Sequence, residues 1–291
     1  MEMPKTVGRD LPLSDAQAVQ TKWTWGQVGR WVAIAVIVVG VLLPFIPLAV
    51  WSFSHRWYFP ALVPTEWSLR AWRYVFSSGS LVPKALGYSI VVALVVTVLS
   101  ILIGIPAGRA MGLHRFRGKT LVEFLILAPT IVPALAVAMG IHVAFIKYGL
   151  ADTLPGVVLV HLIPVTPYMV MIMSSVFANY DPEYEEQART LGAGPIQTFI
   201  HVTFPAILPG VIVGGLFAFI ISWSQYVLTL LIGGGQVITL PLLLFTFAGS
   251  GDNPITAALS IVFVAPALIF LIVTSRYLTG ESAAIGGFGK I

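Results

Sequence analysis

Covalent or metal chemistry needs nucleophilic, titratable or ligating side chains at workable spacing, and this sequence supplies almost none. It contains no cysteine, which excludes disulfides, thiolate metal sites and a cysteine nucleophile. His142, His161 and His201 are scattered, with no carboxylate at ligand spacing and no His-Glu-x-x-His pattern. The stretch 112–120, Gly-Leu-His-Arg-Phe-Arg-Gly-Lys-Thr, has the look of a phosphate-binding loop but puts five residues between its glycines where that loop has four. No strand precedes it, so it reads as a basic, topology-setting loop, and no nucleotide site is expected. Glu123 stands near Arg115, Arg117 and Lys119 in sequence and is expected to pair with them or to set topology. Met169, Met171 and Met173 are expected to face lipid or a neighbouring helix rather than copper.

Two clusters remain. Ser222-Trp-Ser-Gln-Tyr226 interrupts a long apolar run near the expected middle of a helix, where polar groups are costly unless they face a cavity or another helix. Ser222 and Ser224 would hydrogen-bond between helices, or the group would line a solute path, with Trp223 and Tyr226 as stacking faces and Gln225 as a hydrogen-bonding group. Thr130, between Pro129 and Pro133, and Thr166, between Pro164 and Pro167, would lie near the same depth, beside carbonyls that the prolines free. The second cluster is the polar segment 179–205, with four acids and one base. Asp181 suits an N-cap and Pro182 the first helical position. Acids in the following turn suit the helix dipole. Gly192 can take φ > 0 and stop the helix, Pro195 starts a second short helix, and Pro205 is expected to end it. A short helix, a Gly turn and a second helix make a knob fit for docking a soluble partner.

The elements that position these clusters follow from composition. Of 291 residues, 57% are hydrophobic and only 10% charged, against about 25% charged in soluble domains, and mean hydropathy is +0.92. A soluble enzyme, a disordered chain and a nucleic-acid binder are excluded; the net charge of +4 comes from bases scattered between apolar runs. A crossing helix needs about 20 apolar residues. Runs free of Asp, Glu, Lys and Arg cover 31–55, 85–108, 124–146, 153–180, 190–251 and 253–275. The fifth divides into a polar start, a span over about 206–232 and a Gly-rich loop from Gly233, which gives six spans. Gly104 with Gly108 and Gly210 with Gly214 would allow close helix approach. With the N-terminus inside, cytoplasmic segments hold eleven bases (Lys5, Arg9, Lys22, Arg30, Arg109, Arg115, Arg117, Lys119, Arg189, Arg276, Lys290) and external ones five (Arg56, Arg70, Arg73, Lys84, Lys147). Both termini are therefore expected in the cytoplasm, with four of the five external bases crowded into the first external loop. Tails are expected at 1–30 and 279–291, around a six-span domain at 31–278.

The spacing Glu186-x-Ala188-xxx-Gly192-(nine)-Val202-x-Phe204-Pro205 resembles the signature loop of binding-protein-dependent ABC importer permeases, Glu-Ala-Ala-xxx-Gly-(nine)-Ile-x-Leu-Pro, with Gln187, Val202 and Phe204 departing from it. The segments 68–76, 115–119, 238–245 and 253–259 resemble other parts of these permeases, the last two the polyamine branch. The resemblance implies an all-α integral membrane protein, with six transmembrane helices in the type I ABC importer permease fold, seated in the cell inner membrane. It implies a docking loop formed by Glu185, Glu186, Gln187, Ala188, Arg189, Leu191, Gly192 and Ala193. It implies a cytoplasmic ABC ATPase dimer, a second permease subunit (taken as a different chain), a periplasmic or lipid-anchored solute-binding protein and membrane lipid as partners, and no nucleic acid. The chain would be no enzyme and would carry no cofactor, Mg-ATP sitting on the partner ATPase. The solute would be polyamine-like or another small organic molecule; sugar, polyol or phosphonate import is the alternative. The acids that the polyamine branch would place at 222–226 are missing. An ion-coupled secondary transporter would need charged groups within the spans, and the middles of these runs hold none.

Overall fold

The computed structural model describes residues 25–57 and 60–278. Its elements are α1 (Trp25–Leu42), α2 (Phe45–Ser52), a hairpin of β1 (Ser54–Arg56) and β2 (Glu66–Trp67), α3 (Arg70–Val75), α4 (Val82–Leu113), α5 (Lys119–Ile131), α6 (Ala134–Lys147), α7 (Leu154–Ala178), α8 (Glu183–Thr190), α9 (Pro195–Thr198), a π turn (Phe199–Thr203), α10 (Phe204–Trp223), α11 (Val227–Gly233), α12 (Leu240–Ser250) and α13 (Asn253–Leu278). The chain divides into two units, Met1–Pro47 and Leu48–Ile291. The described part of the first is apolar helix; the second holds both candidate sites. The expected tails, apart from 25–30, lie outside the described residues.

Among the described residues five stretches are long and apolar enough to cross a membrane: Gly29–Ser52, Val82–Leu113, Leu154–Ala178, Pro195–Trp223 and Asn253–Ser275. The sixth expected span, 124–146, is not one straight helix. It is the pair α5 and α6, bent by 98°. Val132 and Pro133 are both extended there; proline cannot donate to the helix ladder, and it drives the residue before it out of the helical region.

The centre of the second unit is built on glycine. Gly104, Gly108 and Gly112 repeat every four residues on α4 and meet Met169, Met173 and Phe177, which repeat every four residues on α7. All three of those side chains are fully buried. From α10, Gly214 meets Met169 and Gly210 meets Val176. Met169 thus fills a space made by the missing side chains of two other helices. Without water, helix association rests on close van der Waals contact, which small residues permit. Of the expected methionine cluster, Met169 and Met173 face helix neighbours and Met171 faces outward.

Two boundaries differ from expectation. Pro205 does not end a short helix: α9, the π turn and α10 run on as Pro195–Trp223. Pro205 stands in the first turn of α10, where its missing N–H costs little, and the widened turn ahead of it relieves the crowding that its ring would cause. The fifth span closes at Trp223 rather than near 232. Ser224, Gln225 and Tyr226 separate α10 from the short α11, so the polar group 222–226 ends a helix and does not lie in the middle of one. Beyond the Gly turn, where Gly234 and Gly235 take positive φ, α12 is a further apolar helix.

Candidate functional site

The segment between α7 and α10 is a knob clamped from within. Asp181 Oδ1 accepts from the Glu183 N–H at 2.9 Å, which starts α8 one residue later than Pro182 would. At the other end Gly192 has φ +88°. Its N–H bonds the Arg189 carbonyl, and the Ala193 N–H reaches back to the Ala188 carbonyl at 3.1 Å. This pair of bonds is the Schellman ending, for which glycine is suited because it lacks Cβ. Gly194 then accepts capping from Gln197, whose Oε1 takes the Gly194 N–H at 3.2 Å.

α8 turns only one of its acids inward. Glu185 is buried and receives both arms of Arg109 from α4, Nη1 to Oε1 at 2.7 Å and Nη2 to Oε2 at 2.8 Å. The Thr203 hydroxyl, on the π turn, donates to Oε1 at 2.8 Å. The Arg109 guanidinium also lies 5.6 Å from the Phe177 ring centre on α7. One carboxylate therefore ties the loop to α4, and through Thr203 to the entry of α10. The Arg109 bonds hold its carboxyl down at about 2, against burial, and Thr203 adds to them. A lowered folded pKa means that the group contributes its full stabilisation above its ordinary value of 4.5 and loses it as pH falls toward 2. Hydrogen exchange of the α8 amides, corrected for intrinsic rates, is accordingly expected to stay flat from pH 8 to 5 and to accelerate only below about 4.5. Acceleration between pH 7 and 6 would contradict the clamp.

The rest of the knob faces out. Glu186, Gln187, Arg189, Leu191 and Gly192 are exposed, while Ala188 and Ala193 are half-buried. Leu191 is 89% and Ile196 75% exposed, which leaves two apolar side chains on a polar loop with nothing among the described residues covering them.

At the break between α10 and α11, Ser222 and Trp223 are buried, and Gln225, Tyr226 and Thr166 half-buried. The Trp223 ring stacks between Phe219 and Phe263, with centroids at 5.7 and 5.8 Å, and its Nε1–H donates to the Phe263 carbonyl at 3.0 Å. Tyr226 stacks on Phe245 at 4.3 Å. Thr130 is exposed and donates to the Leu127 carbonyl at 2.7 Å. His161 on α7, without a role in the sequence reading, is buried between Ser222 Oγ on Nδ1 at 3.0 Å and Thr229 Oγ1 on Nε2 at 2.9 Å. The Thr229 hydroxyl donates to the Gln225 carbonyl at 3.2 Å. One proton arrangement uses every donor: Ser222 O–H to Nδ1, Nε2–H to Thr229, and Thr229 O–H to Gln225. A neutral imidazole thus spans both sides of the break and fixes it.

A profile of the family described as "Binding-protein-dependent transport system inner membrane component" matches residues 104–279, from the Gly face of α4 to the end of α13. The chain belongs to this family. The permease is 29% identical to the putrescine transport system permease protein PotI of Escherichia coli K12 over 224 residues, 75% of this chain and 79% of PotI. It is 28% identical to the trehalose transport system permease protein SugB of Mycobacterium tuberculosis over 271 residues, 88% of this chain and 97% of SugB. A chain of a bacterial ABC transporter that imports the acidic polysaccharide alginate superposes with a TM-score of 0.68 at 20% identity, over 86% of the permease and 95% of that chain, which establishes the type I importer permease fold. Sequence reasoning gave Arg109 only a topological role, His161 none, and did not single out Thr203; Glu185, grouped there with the docking residues, is the internal anchor of the loop.

Proposed function

We propose that this permease forms half of a translocation path for a small solute handed over by an extracytoplasmic binding protein, with a second permease subunit as the other half. The 185–193 loop seats in a groove of a cytoplasmic ATPase. Both termini and the knob lie on the cytoplasmic side. The observation that carries this reading is the pairing of an apolar tip, Leu191 and Ile196, with a rigid inner anchor, Glu185 on Arg109. A surface loop has no need of either, whereas a lever needs both. ATP binding draws the ATPases together, the knob follows, and the clamp passes the displacement to α4 and α10, which rock the permease between two access states. Magnesium and ATP are held by the ATPase. The groups offered to solute by the α10–α11 break, Gln225 and Tyr226, are uncharged. They suit recognition by hydrogen bonds and stacking, as for a sugar or other small organic solute, more than charge pairing with a polyamine.

Leu191→Asp is expected to lower co-purification of the ATPase at least tenfold, because burying a leucine is worth about 1.5–3 kcal/mol and a buried carboxylate would oppose docking. Gly192→Val, which forces a β-branched residue to φ +88°, is expected to weaken it as well. Membrane insertion should be unchanged in both. Wild-type recovery of the ATPase with both variants would refute this reading.

A further inference from the structure

The hairpin and α3 stand at the end of α4 opposite the Arg109 clamp, about 40 Å away at 1.5 Å per residue. They carry an unusual combination. The hairpin tip, 57–64, has no charged residue, and Leu62 is 91% exposed, with Val63 and Trp67 also exposed. On α3, Ala71 and Val75 are buried in the core. Leu69, Arg73 and Phe76, spaced four and three residues apart, share the opposite face and are exposed. Its described parts are tied together: the Ser68 N–H bonds the Phe53 carbonyl at 2.7 Å, Trp57 Nε1–H donates to the Ala61 carbonyl at 2.8 Å, and Arg70 pairs with Asp252 at 2.8 and 2.9 Å. The sequence 53–84 holds four bases (Arg56, Arg70, Arg73, Lys84) and one acid, Glu66, which is the external excess that runs against the usual charge bias of membrane loops. Arg70 is taken by Asp252; Arg73 and Lys84 are exposed.

We propose that the hairpin and α3 form a foot on the leaflet opposite the docking loop, its apolar tip in the interfacial layer and Arg73 and Lys84 on anionic phospholipid headgroups. Each half accounts for the other. Exposed Leu62, Trp67 and Phe76 are costly in water and suit the headgroup boundary, where aromatic rings gather. Bases beside an apolar face are the pattern of helices that lie on anionic membrane. The surface is also continuous with the membrane-facing side of α4, which begins six residues after Phe76 and exposes Val91, Leu94 and Val98. A transient contact with a soluble partner would be more polar.

The absence of native cysteine makes the test direct. Single-cysteine variants L62C and F76C of the full chain, with its co-purifying subunits, are nitroxide-labelled in nanodiscs of phosphatidylcholine containing phosphatidylglycerol, and in nanodiscs of phosphatidylcholine alone. Power saturation with oxygen and a nickel chelate then reports depth. With anionic lipid both labels are expected to be oxygen-accessible and nickel-shielded. Removing the anionic lipid, or adding Arg73→Glu with Lys84→Glu, is expected to raise nickel accessibility at least threefold. Labels open to nickel in both lipids would overturn the proposal, as would labels shielded from both reagents, which would mean that protein covers the foot. Identical depth in the two lipids would overturn its electrostatic half.

Discussion

Gly108→Leu is expected to leave no recoverable folded protein. A Cβ built on Gly108 would meet the Met173 Cβ and come within 2.8 Å of the Met173 carbonyl carbon and 2.9 Å of the Ser174 nitrogen. Two of those atoms are backbone, so no rotamer change relieves the overlap; α7 itself must move away from α4. Gly104 and Gly112 share the seam, with Phe177 Cβ and the Ser174 carbonyl oxygen each 2.6 Å from a Cβ at Gly112. Separation at one point therefore unseats Met169, Met173 and Phe177 together. Overpacking a core position usually costs about 1–3 kcal/mol, and emptying a site of this size about 2–5 kcal/mol. Combined they reach the exceptional class above about 4–5 kcal/mol that single substitutions rarely enter. The matched control is Gly87→Ala on the same helix, where no atom lies within 4 Å of the added carbon; alanine is the better helix former by about 1 kcal/mol, so stability should hold or rise. Size-exclusion profiles and melting temperatures of the detergent-extracted proteins decide it. A monodisperse Gly108→Leu peak melting with the wild type would show that α4 and α7 do not pack through this seam.

The parts of the structure that the sequence made legible are those set within one or two turns of chain. Gly192 and Pro195 act through their own backbone and Asp181 through its side chain on an N–H two residues on, and each marks the end or start of an element where expected, apart from a one-residue shift at Pro182. The spans are legible because lipid demands long uncharged runs. The Glu185–Arg109 pair is not legible, because its members are 76 residues apart and each has a local explanation, acid for a helix start and base for a cytoplasmic loop. Glu185 and Glu186 are neighbours in sequence, but 100° of helical rotation turns one inward and one outward, and an eight-residue helix with few apolar positions gives no phase from which to choose. His161 lies 61 and 68 residues from its two partners. The break at Ser224 is hidden for a different reason: an apolar stretch that is hydrophobic all round carries no periodicity to interrupt.

Arg109→Ala tests whether the inner anchor is what would make the knob the lever proposed above. The substitution leaves Glu185 buried with the Thr203 hydroxyl, the Tyr180 side chain and the weaker partner Arg189, 3.7 Å away and largely exposed. Breaking a buried ion pair from one side costs about 3–5 kcal/mol; because a third of the Arg109 side chain is exposed, about 2–3 kcal/mol is the better expectation. At 1.4 kcal/mol per factor of ten, hydrogen exchange of the α8 amides should rise about 30–150-fold. Glu185→Gln keeps a hydrogen-bonding group in place and should have a smaller effect. Arg109→Met with Glu185→Leu removes both charges, and since an apolar pair of similar volume is often as stable as the ion pair it replaces, protection should return to within about tenfold of wild type. Binding-protein-stimulated ATP hydrolysis, read on the same assembled complexes, then separates the two roles of the pair. If stiffness alone carries the motion, hydrolysis falls in Arg109→Ala and recovers in the apolar double variant, following the exchange rates. Should the single variant show wild-type α8 protection, Arg109 is not the anchor, and the proposed lever loses its link to α4.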